Sequence, residues 1–284
     1  MAEFVLIAPV KNEQETIEEM LKSIISQKKK PVLFVIIDGG STDETQNNVE
    51  KYSKRFPWIV LIRQHTFSDI GGHINFSLAM QEAYLFALEY CRMNKIEFDY
   101  VGKIDGDNII SDNFFANLIP RFEADDKLGA ASGVSITDRK RDMFPKDELP
   151  DKRLYRKSAL EQIGGFPNSK YSPDTVILAK MRMAGWIIHS FNDISVTNLR
   201  PDGGMTRGDW NTGVMFGKSR YYLGYSVPLL VLGCGYILAG GRLFKALGLI
   251  QGYFGSWIAR DIKIADSNIR HYFHSTRLKE VIHL

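Results

Sequence analysis

Short apolar runs alternate with helix-like segments along the first half of the chain, and this alternation constrains the fold more than any other feature. Continuous apolar runs predict strands covered on both faces at residues 4–9, 32–37, 59–62, 100–104 and 129–134. Strand–helix alternation with short links is typical of βαβ units. The sequence therefore predicts an α/β fold with a mainly parallel central sheet flanked by helices.

Helical periodicity and start signals place the helices between these strands. The first helix has apolar residues at helical spacing: Ile17, Met20, Leu21, Ile24 and Ile25. Ser41-Thr42-Asp43-Glu44 is typical of a capping box and predicts a second helix. A third helix is expected from Gly71-Gly72 to about Tyr90, and a fourth with Phe114, Phe115, Leu118, Ile119 and Phe122 on one face.

Polar residues follow three of the predicted strands. They are Lys11-Asn12-Glu13, Asp38-Gly39-Gly40-Ser41 and Asp105-Gly106-Asp107. In open α/β sheets, ligands bind outside the carboxyl ends of the strands. We therefore expect the three clusters to share one edge of the sheet.

Asp105 and Asp107 are the strongest candidates for a metal site. Two carboxylates on either side of a glycine can turn toward one hard cation, and carboxylate oxygens suit Mg²⁺ or Mn²⁺. A surface turn is the alternative, since Asp and Gly are common in turns. Asp38 has two possible roles: its carboxylate could accept hydrogen bonds from a nucleobase, or it could stabilise the turn at the end of its strand. Glu13 also has two possible roles: it could contact the nucleotide, or it could interact favourably with the dipole at the start of the following helix.

Charge and cysteine content exclude some classes of protein. The formal net charge of +3 argues against bulk nucleic-acid binding, and two cysteines are too few for a disulfide framework. The first residues have no basic region typical of a cleavable signal. A cytoplasmic location is expected, at the inner face of the cell membrane if the basic C-terminal part attaches there.

The order of these motifs resembles that of family 2 glycosyltransferases with the GT-A fold. The resemblance is carried by Pro9-Val10-Lys11-Asn12-Glu13, by Asp38 to Asp43, by Lys103 to Asp107, by Ile163-Gly164-Gly165-Phe166, and by Asp174 with the later Arg182 to Trp186. It covers residues 4 to about 200. Two positions depart from the family pattern, since Pro173 replaces a usual Glu and Gly39 a frequent Asp.

The resemblance implies roles for individual residues. Asp38 would bind the base of a nucleotide-sugar, with Pro9 and Glu13 in the same motif series. Asp105 would contact the ribose or the metal, and Asp107 would coordinate Mg²⁺ or Mn²⁺ on the diphosphate. Asp174 would be the general base for the acceptor hydroxyl, with capping of the following helix as the alternative.

Two arginines follow Asn198 in the chain. Arg200 and Arg207 lie in a glycine-containing loop suited to closing over a diphosphate. Solvated loop arginines are the alternative. Related enzymes often have a histidine near Asn198, and its absence here weakens the case for a third protein ligand to the metal.

The C-terminal part is predicted to be a helical extension, residues 213–284, after a catalytic domain of residues 1–212. Residues 200–284 carry 11 basic and 5 acidic side chains, and residues 221–241 are uncharged. A membrane span is one alternative for this segment, although it is broken by Pro228 and five glycines. The next helix has Leu243, Leu247, Ile250, Phe254 and Trp257 on one face beside basic residues, which favours attachment in the plane of a membrane. Packing on the catalytic domain or a homo-oligomer interface stays open.

These observations predict a metal-dependent inverting glycosyltransferase. It would move a sugar from a nucleotide-sugar, most simply UDP-linked, to a glycan or lipid-linked hydroxyl acceptor in cell-envelope or polysaccharide synthesis. A sugar-phosphate nucleotidyltransferase is one alternative, but Lys11-Asn12-Glu13 stands where such enzymes have a glycine-rich loop with an arginine. A non-catalytic nucleotide-sugar-binding scaffold is the other, and the presence of Asp105, Asp107 and Asp174 argues against it.

Overall fold

The computed structural model describes residues 2–69, 73–135, 149, 152–198 and 208–283. Contacts divide the chain into two compact units, residues 1–168 with 173–200 and residues 169–172 with 201–284. Residue 212, the end of the predicted catalytic domain, lies inside one helix, Asp209–Leu223, and the division at that residue stays a prediction. The roles assigned to the two parts stay predictions.

The first unit is built on one eight-stranded sheet, in the order β3-β2-β1-β4-β7-β6-β8-β5. The strands are β1 (Phe4–Val10), β2 (Leu33–Asp38), β3 (Ile59–Arg63), β4 (Tyr100–Lys103), β5 (Asn108–Ile110), β6 (Leu128–Ser135), β7 (Arg153–Arg156) and β8 (Ile187–Asn198). The first four strands in this order are mutually parallel, as are β6 and β8. The predicted mainly parallel α/β sheet is confirmed.

Helices cover both faces of this sheet. They are α1 (Ile17–Ile25), α2 (Thr45–Arg55), α3 (His73–Asn94), α4 (Phe114–Ala124), α5 (Lys157–Gln162) and α6 (Pro173–Met183). Neighbouring residues of β1 point to opposite faces, so Leu6 packs in one apolar cluster with α1 and α4, and Val5 packs in the other with α3. Both faces are apolar because both are buried, which is why the strands are continuous apolar runs.

Two local details differ from the sequence prediction. The antiparallel strands β5 and β7 were not predicted, since β5 has three residues and β7 is rich in charge. The helix α2 does follow Ser41 to Glu44, but these residues form no capping box. Instead the Asp43 carboxylate accepts hydrogen bonds from Thr45 N and from Gln14 N of another loop.

The second unit is helical in its described part. Its elements are α7 (Asp209–Leu223), α8 (Val227–Ala239), α9 (Leu243–Ile258), α10 (Ser267–His271), a π-helical turn (Tyr272–Thr276) and α11 (Arg277–His283). Helices α7 and α9 cross closely at glycines. A Cβ built on Gly213 would lie 2.2 Å from Lys245 O, and one on Gly252 would lie 2.1 Å from Val214 O. Among the residues described, none of the helices has both the length and the apolar character to cross a bilayer.

Candidate functional site

The loops after β1 and β2 are joined by hydrogen bonds. Asn12 N donates to Ser41 Oγ at 2.9 Å, and Thr42 N donates to Asn12 Oδ1 at 2.9 Å. Glu13 N donates to Thr45 Oγ1 at 2.7 Å. Because the parallel strands β1 and β2 end together, two of the predicted motifs form one connected edge.

Asp38 ends β2 with its side chain buried. Its carboxylate accepts hydrogen bonds from Gly40 N, from the backbone and hydroxyl of Ser41, and from Gln46 Nε2 at 2.7 Å. A carboxylate has about four acceptor sites, so these donors use most of its capacity. In this structure Asp38 organises its own loop, as the turn alternative requires, and contact with a nucleobase stays a prediction.

Pro9 lies in β1 next to the end of β4. Ile7 O accepts from Ile104 N, so the backbone nitrogen of Pro9, two residues on, also points toward β4. Strand β4 pairs with β1 only as far as Lys103, opposite Ile7. Proline has no N–H to donate, and it is tolerated here because the ladder has already ended.

Asp105 and Asp107 follow β4, and Asn108 holds both. Asn108 is buried; its Oδ1 accepts from Asp105 N at 3.0 Å, and its Nδ2 donates to Asp107 Oδ1 at 2.9 Å. A Cβ built on Gly106 would lie 2.9 Å from Glu13 Cγ, so this turn packs directly on the loop after β1. Three predicted clusters thus meet at one edge of the sheet.

The carboxylates of Asp105 and Asp107 are partly exposed, and their oxygens are the kind of ligand that a hard divalent cation prefers. Mg²⁺ is commonly bound by one or two carboxylates together with substrate phosphates. Within the described ranges, no group of three or more His, Cys, Asp or Glu side chains could hold a metal.

A buried lysine connects Asp105 to Asp174. Lys103 is 2% exposed, and its Nζ lies 3.2 Å from Asp105 Oδ1 and 3.5 Å from Asp174 Oδ2. The two carboxylate oxygens cannot be more than about 7 Å apart, because each lies within 3.5 Å of the same nitrogen. The carboxylates predicted for the donor side and for the acceptor side are therefore neighbours in the structure.

A second buried cation faces Asp174 from β7. Arg153 stands directly opposite Lys103 in the antiparallel pair of β4 and β7. Its Nη1 lies 2.7 Å from Asp174 Oδ1, and its Nη2 donates to Leu149 O at 2.8 Å. Like charges directly opposite each other destabilise a sheet, and Asp174 compensates both of them.

Tyr155 lies beside this ion-pair network. Its hydroxyl is 3.4 Å from Arg153 Nη1. Burial has the largest effect on this hydroxyl and raises the pKa of Tyr155 above its ordinary value. The positive charges of Arg153 and Lys103 partly oppose this shift, and the negative charge of Asp174 adds to it. Tyr155 is therefore a neutral phenol at physiological pH.

The Gly164-Gly165-Phe166 segment packs next to Asp174. Both glycines have positive φ, +83° and +80°. The Phe166 ring lies edge-on against Tyr84 and Tyr155, and its carbonyl accepts from Gln81 Nε2 at 2.8 Å. A cavity of about 10 Å³ between this segment and Asp174 has room for about one water molecule.

Three residues of this site were missed by the sequence analysis: Lys103, Asn108 and Arg153. Lys103 had a signal, because it is the only charged residue in the apolar run Tyr100 to Ile104. Arg153 had none, because its position depends on the pairing of an unpredicted strand. Arg200 and Arg207 lie outside the described residues.

Comparison with known proteins gives matches over most of the chain. The sequence profile of the family described as "Glycosyl transferase family 2" matches residues 5–174. Poly-beta-1,6-N-acetyl-D-glucosamine synthase of Staphylococcus aureus (strain COL) is 23% identical over 201 residues, which cover 62% of this chain and 45% of the synthase. The match thus spans less than half of that relative's length.

Solved structures show the same fold. The mannosyltransferase PcManGT from Pyrobaculum calidifontis, in complex with GDP-Man and Mn²⁺, is similar over 99% of this chain and 80% of its own, with TM-score 0.62 and 19% identity. Staphylococcus aureus TarS 1-349, in complex with UDP-GlcNAc, covers 94% of this chain and 78% of its own, with TM-score 0.55 and 17% identity.

Proposed function

The chain belongs to glycosyl transferase family 2 and has the GT-A fold of a glycosyltransferase, and from this premise we propose that it transfers a sugar from a UDP-sugar to a hydroxyl acceptor with inversion at the anomeric carbon. One observation carries the proposal. Lys103 binds both Asp105 and Asp174, so a donor diphosphate at Asp105 and an acceptor hydroxyl at Asp174 would meet within about 7 Å.

The acceptor side of the reaction uses Asp174. The acceptor hydroxyl oxygen attacks the anomeric carbon as its proton passes to the Asp174 carboxylate, and the bond from that carbon to the phosphate oxygen breaks on the opposite face. Ion pairs with Lys103 and Arg153 fix the orientation of this carboxylate.

The donor side uses the carboxyl edge of β1, β2 and β4. Pro9, Glu13 and Asp38 would lie along the nucleoside, with Arg200 and Arg207 over the diphosphate. Asp105 and Asp107 would hold Mg²⁺ or Mn²⁺, whose chemistry there is Lewis-acid stabilisation of the leaving nucleoside diphosphate. Mn²⁺ accompanies GDP-Man in the PcManGT structure, which supports a divalent cation in this one.

The acceptor is proposed to be a glycan or a lipid-linked glycan of polysaccharide or cell-envelope synthesis. The similarity to a poly-N-acetylglucosamine synthase supports this class. We also propose peripheral membrane contact through residues 220–284, at the cytoplasmic face, which would bring the enzyme to a lipid-linked acceptor. Formation of a homo-oligomer is an alternative use of the same segment.

A ligand screen tests the proposed donor. Thermal unfolding is followed with UDP-GlcNAc, UDP-Glc, UDP and GDP-Man, each with and without Mn²⁺. We expect Tm to rise with a UDP ligand only when Mn²⁺ is present, because a ligand that binds the folded state stabilises it by mass action. A shift with GDP-Man alone would correct the nucleotide, and no shift with any of the four would contradict the proposal.

A further inference from the structure

Helix α9 is apolar on the side that does not pack against the protein. Ala246, Leu249 and Tyr253 are buried on its inner side. Its outer side exposes large apolar residues: Leu243, Phe244, Leu247, Ile250, Phe254, Trp257 and Ile258. Apart from Lys245, Gln251 and Ser256, both sides of α9 are apolar, which is typical of a helix that is buried or in contact with lipid.

The neighbouring helix α8 extends this surface. It packs with α7 and α9 around Leu230, Cys234 and Leu249, and it contains no charged residue. Its exposed apolar residues are Val227, Val231, Leu232, Tyr236 and Leu238. Twelve exposed large apolar side chains on two adjoining helices are typical of a surface that contacts a partner or a membrane.

Basic side chains lie at the C-terminal end of this surface. A groove of about 460 Å³ is lined by Tyr221, Trp257, Ile258, Arg260 and Lys263. Lys263 Nζ lies 4.9 Å from the centre of the Tyr221 ring. Asp261 is the only acidic residue between positions 243 and 265. The groove thus combines two cations with the edge of an apolar helix face.

We propose that the exposed faces of α8 and α9 lie on an anionic lipid bilayer, and that Arg260 and Lys263 bind a lipid phosphate in the groove beside Trp257. Interfacial helices place apolar side chains below the headgroups and basic side chains among them, with tryptophan at the boundary. A second copy of the chain fits less well. A two-fold dimer through this face would pair two copies of the same apolar surface with its two cations, and neither copy would offer the anion that Arg260 and Lys263 favour.

This inference rests on the membrane contact in the proposed function, and its test is independent of donor binding. The full chain is sedimented with sucrose-loaded vesicles of phosphatidylcholine alone and of phosphatidylcholine with 30% phosphatidylglycerol. We expect binding to the anionic vesicles. Arg260→Ala with Lys263→Ala should weaken it by about 25-fold, since each basic residue near an anionic surface contributes about fivefold.

Variants of the apolar face separate the two parts of the surface. Leu247→Ala with Trp257→Ala should weaken binding at least about tenfold. The matched controls are Leu85→Ala with Met93→Ala, two exposed apolar residues of α3, and Lys51→Ala with Lys54→Ala, two exposed lysines of α2. Both controls should bind like the unmodified chain, and all variants should keep its far-UV circular dichroism.

Three results would overturn the inference. The first is no sedimentation of the full chain with either vesicle. The second is a concentration-dependent dimer in analytical ultracentrifugation that Leu247→Ala with Trp257→Ala abolishes, which would assign the face to a second copy. If vesicles bind as expected while no nucleotide-sugar raises Tm, the proposed transfer fails and the membrane surface stands. The third result concerns a free anion in place of a lipid. If inorganic phosphate raises Tm, Arg260→Ala with Lys263→Ala removes that rise, and the same double variant still sediments with anionic vesicles like the unmodified chain, the two cations serve a free phosphate and the inference fails.

Discussion

Replacing Asp174 should destabilise the protein as well as stop transfer, because this carboxylate compensates two buried cations. Asp174 lies 2.7 Å from Arg153 Nη1 and 3.5 Å from Lys103 Nζ. At an effective dielectric constant of about 20, these distances correspond to attractions of about 6 and 5 kcal/mol before desolvation. Breaking a buried ion pair costs about 3–5 kcal/mol net. Since the Asp174 side chain is 30% exposed, we expect Asp174→Asn to cost about 3 kcal/mol.

Removing Lys103 should cost less. Lys103→Met keeps the buried aliphatic chain, relieves repulsion with Arg153, and leaves Asp105 and Asp174 partly solvated, at 26% and 30% exposure. We expect a loss of about 1 kcal/mol. In the Lys103→Met background, Asp174→Asn should then cost only about 1.5 kcal/mol, which is a coupling of about the same size.

Urea unfolding followed by circular dichroism measures each free energy of unfolding. Asp126→Asn, an exposed carboxylate, is the matched control and should stay within about 0.5 kcal/mol of the unmodified chain. Equal costs of Asp174→Asn in both backgrounds would refute the idea that Asp174 compensates Lys103.

The same variants separate the structural and chemical roles of Asp174. The double variant should regain part of the lost stability but no transfer, because the amide introduced by Asp174→Asn cannot accept the proton of the acceptor hydroxyl. Recovery of transfer together with stability would show that Asp174 acts only through folding.

Three further predictions concern the turn after β4. Asp107→Ala should abolish Mn²⁺-dependent turnover of a UDP-sugar, and Asp126→Ala should leave it unchanged; normal turnover in Asp107→Ala would remove the metal role. Asn108→Ala should weaken Mn²⁺ binding about 10–100-fold in a titration with UDP, because Asn108 orients Asp107; unchanged affinity would contradict this. Gly106→Ala should cost about 1–3 kcal/mol in urea unfolding because its Cβ would meet Glu13, whereas Gly235→Ala, which meets nothing within 4 Å, should cost nothing.

The sheet could be predicted because its strands are covered on both faces. Each of β1, β2 and β4 is a continuous apolar run, and that pattern needs no knowledge of the neighbours. Their parallel order then places Pro9, Asp38 and Asp105 at one edge. The convergence of the motifs followed from the sequence for this reason.

The ion-pair network could not be predicted in the same way. Arg153 lies opposite Lys103 only because β7 inserts antiparallel between β4 and β6. Because β7 has the sequence Arg-Leu-Tyr-Arg, it lacks the continuous apolar run from which the other buried strands were predicted. The role of Asp38 could not be predicted either. The same Asp-Gly-Gly-Ser segment can bind a ligand, or its own N–H groups can donate hydrogen bonds to the Asp38 carboxylate, as they do here.

Some features of the C-terminal helices could also be predicted from the sequence, and others could not. The face with Leu243, Leu247 and Trp257 was predicted from helical spacing, and the structure leaves these residues exposed. The uncharged segment 221–241 is not one continuous helix. It contains the end of α7 and then α8, because Gly224 adopts a left-handed conformation with φ +84° and ends α7. The close glycine contacts of α7 and α9 depend on their crossing and had no local signal.

Diffraction from crystals grown with UDP and Mn²⁺ tests most directly whether the edge formed by β1, β2 and β4 is a donor site. We expect an anomalous manganese peak at about 2–2.5 Å from a carboxylate oxygen of Asp107, with the diphosphate beside Asp105. A manganese peak elsewhere, or UDP bound away from Asp105 and Asp107, would contradict it.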